Sequence, residues 1–134
     1  MRRTAPIAAL TAFFLSAGAA NATGAYLFDI IKEPAFHKAY VAMLTGATHL
    51  PSWLGEITGK GDYVATPETA ASIDGVAYRL FHACKAHDCA GHEFEVMFDG
   101  AKAYGLLIDG NRPQRFFGQP NPQQQAALQK AIAD

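Results

Sequence analysis

At 134 residues, with eleven basic and twelve acidic side chains, the chain has room for one domain with a modest core and carries a formal net charge of −1. That balance argues against binding to a nucleic-acid backbone, which needs clustered Lys and Arg. No internal repeat, low-complexity tract or charge block divides the chain.

Arg2 and Arg3 precede an apolar run from Ile7 to Ala20, and Ala20-Asn21-Ala22 follows as a small-residue cleavage site. Residues 1–22 therefore read as a Sec-type signal peptide, too short and wrongly flanked for a comfortable membrane span. The expected mature domain is 23–134, with no membrane anchor after cleavage. Removing the signal takes two of the eleven basic residues and none of the twelve acidic ones, which leaves a charge of −3. A mildly acidic domain suits a cationic partner.

Pro34 stands at a helix start, and Phe36, Tyr40, Met43 and Leu44 then recur at helical spacing, with Lys38 opposite and Gly46 as the stop. Leu50-Pro51-Ser52-Trp53-Leu54 reads as a tight turn or short helical piece that buries the tryptophan as a core anchor. From Val76 the period changes to two: Val76, Tyr78 and Leu80 alternate with Ala77, Arg79 and Phe81. Phe94, Val96 and Phe98 alternate with Glu93, Glu95 and Met97; Asp99-Gly100 turns the chain, and Tyr104, Leu106 and Ile108 resume the pattern. Asp109-Gly110-Asn111 is a second turn, and Arg115-Phe116-Phe117 a short last strand. Asn121 as N-cap, Pro122 at the first helical position and Gln124 three residues after the cap announce a final helix, with Ala127, Leu128, Ala131 and Ile132 inward.

Helix, meander, helix predicts an α+β fold: a central antiparallel sheet of about five strands flanked by helices. In it the stretch between Cys84 and Gly91 joins two adjacent strands and projects from the end of the sheet as a protruding loop.

His82-Ala83-Cys84-Lys85-Ala86-His87-Asp88-Cys89-Ala90-Gly91-His92 holds three of the five histidines and both cysteines. Several readings compete. In an exported domain the default is a disulfide that closes the loop, with His87 solvated at its tip. A metal reading takes His82, His87 and His92 as ligands of a metal-binding domain, although the cysteine spacing is no paired C-x-x-C knuckle. An enzyme reading finds no Gly-x-Ser-x-Gly motif, and a solvated sheet face explains Glu93 and Glu95 better than a carboxylate pair does. A binding-module reading treats the ring as a preorganised probe: His87 can hydrogen-bond two acidic groups, Asp88 holds the loop or orients the ring, and Lys85 reaches acceptors at the rim.

The loop Cys84-Lys85-Ala86-His87-Asp88-Cys89 resembles the Cys-Lys-Pro-His-Asp-Cys signature of the inhibitor of vertebrate lysozyme family. Leu50-Pro51-Ser52-Trp53-Leu54 is similar to that family's Leu-Pro-x-Trp segment, and Gly105-Leu106-Leu107 also fits. The resemblance implies a periplasmic, non-enzymatic inhibitor of C-type lysozyme that needs no cofactor or metal. It also implies a Cys84–Cys89 disulfide and a loop of Lys85, Ala86, His87 and Asp88 inserted in the enzyme's cleft, with His87 between the two catalytic carboxylates. The bacterium's own lytic transglycosylases are an alternative target, and a homodimer remains open. Ala86 departs from the family's usual proline, so the loop lacks one fixed dihedral and weaker inhibition is expected.

Overall fold

The computed structural model describes residues 24–55 and 62–134. The signal segment and its cleavage site lie outside the described residues.

The elements run α1 (Leu27–Ile30), α2 (Pro34–Leu44), a single 3₁₀ turn (Ser52–Leu54), β1 (Tyr63–Ala65), β2 (Thr69–Ile73), β3 (Val76–Lys85), β4 (His92–Phe98), β5 (Ala103–Asp109), β6 (Arg115–Phe117) and α3 (Pro122–Ala133). All strand pairs are antiparallel, in the order β1-β3-β4-β5-β6, with β2 also on β3. The α+β class therefore holds, with six strands instead of about five. The ten-residue β3 is long enough for two partners along one edge: β2 pairs with 76–80 and β1 with 83–85. Both partners are short, and Thr69-Ala70-Ala71-Ser72-Ile73 has too little apolar contrast to announce a strand.

Period-two alternation sends each strand's side chains to two faces, and both are covered. On one, Phe81, Ala83, Phe94, Val96, Phe98 and Leu107 pack with Leu27, Ile30, Tyr40, Met43, Leu44, Trp53 and Leu54 from α1, α2 and the 3₁₀ turn. Phe98 takes Phe36 and Phe81 edge-on, at centroid distances of 5.2 and 5.7 Å. On the other face, Tyr78, Leu80, Met97, Tyr104 and Leu106 surround Leu128 of α3. That helix starts as its sequence requires: the Asn121 side chain accepts from the Gln124 N–H at 2.9 Å, while the Gln124 side chain accepts from the Asn121 N–H at 2.8 Å.

The solvated face expected for Glu93 and Glu95 is corrected for Glu95 by this second layer, while Glu93 stays half-buried. Glu95 is 2% exposed and faces His82 across the β3–β4 pairing, Nδ1 to Oε2 3.1 Å. Alternation placed the glutamate on the right face, but β2 and α3 flank that face and leave the Glu95 side chain almost no exposed surface.

The buried pair has a pH signature. The hydrogen bond to Glu95 raises the His82 pKa above its ordinary 6.5, against burial, and the Glu95 and Glu93 charges add to the rise. Burial raises Glu95 above its ordinary 4.5, more than the His82 hydrogen bond and charge lower it. Both shifts mean that the folded chain holds protons more tightly than the unfolded one. Their contribution is complete below the unfolded values and is lost as pH rises through the folded ones. Thermal unfolding is thus expected to show a lower melting temperature at about pH 8.5 than at about pH 6, and Glu95→Gln to flatten that slope. A wild-type melting temperature that climbs over this range would contradict the assignment.

Candidate functional site: the disulfide loop

The loop leaves the sheet between Lys85, the last residue of β3, and His92, the first of β4. Cys84 and Cys89 are bonded, with Cα atoms 4.9 Å apart, inside the range a disulfide needs. Cys84 is buried at the sheet end while Cys89 is exposed, so the bond anchors an outer strand of the loop to the core.

Backbone bonds pin the ring from both sides. Asp88 N–H donates to Lys85 O at 3.1 Å and His92 N–H to Cys89 O at 2.9 Å, closing two tight turns. Gly110 N–H donates to Gly91 O at 2.7 Å, which ties the loop to the turn after β5. Ala86 N–H donates to Asp62 O at 3.1 Å, which ties it to the start of β1. This last bond bears on the departure from the family pattern. A proline at 86 would fix φ but has no N–H to give; here a hydrogen bond does the holding. Ala86→Pro is therefore expected to leave any inhibition unchanged or weaker, within about tenfold, because the entropy gain of about 0.4–1 kcal/mol is offset by the lost bond. Inhibition tightened tenfold or more would refute that balance.

His87 sits at the tip with φ +64, a left-handed conformation that a non-glycine residue adopts only where the surrounding structure holds it. The residue is exposed, and among the described residues its ring takes no hydrogen bond or ion pair. Its neighbours turn inward. Lys85 Nζ lies 3.2 Å from Asp88 Oδ2, so both loop charges face each other at the base of the tip. Asp88 Oδ2 also lies 3.5 Å from His92 Nε2.

The far side of His92 leads into the body of the domain. Its Nδ1 is 3.0 Å from Asp109 Oδ1, and the Trp53 indole N–H donates to the same oxygen at 3.3 Å. Arg112 Nη1 stands 3.8 Å from Asp109 Oδ2. Burial works to raise the Asp109 carboxyl, but the hydrogen bonds from His92 and Trp53 and the nearby charges of His92 and Arg112 hold it below the ordinary carboxylate value. The two short motifs of the sequence are thus joined in space: Trp53 from the Leu-Pro-Ser-Trp turn reaches the cysteine ring through Asp109 and His92.

The three histidines taken as metal ligands are not brought together. Strand alternation sends His82 toward α3 and His92 toward the 3₁₀ turn, with His87 at the tip between them. Both thiols are spent on the disulfide, and no cluster of three ligands stands among the described residues. A cavity of about 980 Å³ lies between β2, β4 and α3, with His82, Glu93 and Glu95 on its wall; the loop tip does not line it. Asp109, read from sequence only as a turn residue, was the member of the network that sequence reasoning missed. Its partners Trp53 and His92 lie 56 and 17 positions away, so no local pattern could reveal it.

Fold and loop together define a class: a small α+β domain that presents a braced, histidine-tipped ring from the end of an antiparallel sheet. No family model matches the chain. Over 121 residues the chain is 29% identical to the inhibitor of vertebrate lysozyme of Pseudomonas aeruginosa, an alignment that takes in 79% of this chain and 76% of that protein. The resemblance to the inhibitor of vertebrate lysozyme family, drawn above from the cysteine loop, the Leu50–Leu54 segment and Gly105-Leu106-Leu107, is thus supported along most of the chain.

Proposed function

We propose that the protein is a periplasmic inhibitor of C-type lysozyme and acts by occlusion, with His87 inserted between the enzyme's two catalytic carboxylates. The observation that carries this reading is the posture of the tip: His87 is exposed and unpaired among the described residues, while Lys85 and Asp88 satisfy each other. A side chain held out on a ring closed by a disulfide and backbone bonds loses little entropy when it docks. Its two ring nitrogens match two acceptors, and one protonated carboxyl plus one ionised carboxylate is the arrangement such clefts contain. The charge of −3 expected after signal removal complements a basic enzyme and speeds encounter. The relative's name supports lysozyme as the target class.

The test is a cell-wall turbidity assay with a chicken-type lysozyme and purified residues 23–134. Inhibition that saturates near an equimolar ratio is the expected result. Undiminished lysis at large excess would overturn the proposal.

A further inference from the structure

We propose that His92 is the positioning residue of the loop: by bridging Asp88 in the ring to Asp109 on β5, it couples the posture of the His87 tip to the Trp53 turn. The inference rests on the inhibitory reading of the loop, but its structural half can be tested without a target.

The two ends of the bridge differ in what they can hold. At the outer end Asp88 and Lys85 have side chains 52% and 38% exposed, and a surface pair of that kind contributes little by itself. At the inner end His92 and Asp109 are 24% and 17% exposed, and Asp109 is further held by the Trp53 indole and faced by Arg112. The imidazole offers a ring nitrogen to each carboxylate, so one rigid side chain spans the joint between the exposed loop and the packed body. Gly110 lies against the same ring, where an added Cβ would come 3.5 Å from His92 Cε1. The ring is thereby fixed on its β5 side by a backbone bond, Gly110 to Gly91, and by this side-chain bridge; on its β1 side it has the bond from Ala86 to Asp62. Loss of the bridge leaves the β5 side of the loop held by the Gly110 to Gly91 backbone bond alone and leaves the sheet intact. Asp88, read from sequence as a support for the histidine tip, acts in this scheme as the outer strut of His92.

Trp53 is the chain's single tryptophan, so its indole N–H gives one resonance in 15N-labelled protein that unlabelled lysozyme does not obscure. Asp88→Ala removes a group that does not touch Trp53. It is nevertheless expected to shift the indole resonance, as is His92→Ala, while His87→Ala leaves it in place. Against lysozyme, Asp88→Ala and His92→Ala are each expected to speed dissociation about tenfold, with the double variant no faster than either single one, because both cut the same bridge. An indole unmoved by Asp88→Ala, or single effects that multiply in the double variant, would overturn the coupling. Should the wild type bind no lysozyme, the inhibitory reading falls and the indole resonance alone decides the coupling. Asp88→Ala lies in an exposed loop, so the test survives even if His92→Ala fails to fold.

Discussion

His87→Ala is expected to weaken lysozyme inhibition at least about thirtyfold while the melting temperature moves by no more than about 1 °C. The large effect follows from the place of the side chain. It is the one group at the loop tip that meets no partner within the described residues, so whatever it gains on binding comes from the target. Central anchors of this kind cost about 2–4 kcal/mol when truncated, and 1.4 kcal/mol is a factor of ten. The small effect on folding follows from the same exposure, since substitutions at exposed loop positions change stability little. Backbone strain works in the same direction: alanine at φ +64 fares no better than histidine, so no stability is regained. Paired titration in the turbidity assay and thermal unfolding check both halves. An inhibition constant unchanged by the substitution would eliminate the plug mechanism.

Replacing Cys84 and Cys89 together by alanine is expected to separate stability from inhibition in the opposite proportion to an ordinary core variant. Closing a ring of six residues contributes about 2 kcal/mol in the chain-entropy model, a moderate share of a small domain's stability. The remaining backbone bonds, Asp88 to Lys85, Ala86 to Asp62, His92 to Cys89 and Gly110 to Gly91, keep the loop near its place but no longer hold Cys89 against the sheet end. Docking must then order the ring anew, which adds its cost to every binding event. Inhibition should fall by a larger free energy than folding does. Chemical denaturation beside the inhibition titration measures both on one scale. A variant that lost about 2 kcal/mol of stability and kept its full affinity would show that the disulfide serves the fold alone.

These two expectations draw on parts of the molecule that differ in how early they could be read. Pro34 with its helical run, the capping box at Asn121, the alternation in β4 and β5 and the turns at Asp99 and Asp109 are local signals, each complete within a few residues. The structure bears them all out. The short β1 and β2 and the four-residue α1 carry no such pattern, because elements of three to five residues are held by what they pack on, not by their own periodicity. Glu95 shows the same limit at one residue. Its alternation identified its face; whether that face met water depended on β2 and on a helix that arrives some thirty residues later.

By itself the sequence determined the α+β class, the antiparallel meander, the order of its main elements and the place of the cysteine ring between two strands. It did so because period, capping and turn chemistry act between near neighbours in the chain. Only the tertiary structure decided that His82 pairs with Glu95 and His92 with Asp109, that the three histidines of the loop segment part company, and that Trp53 reaches the ring. Strand register and layer packing join residues 13, 17 and 56 positions apart. Contacts at that separation are set by how whole elements dock, and no stretch of sequence around any one of them contains that information.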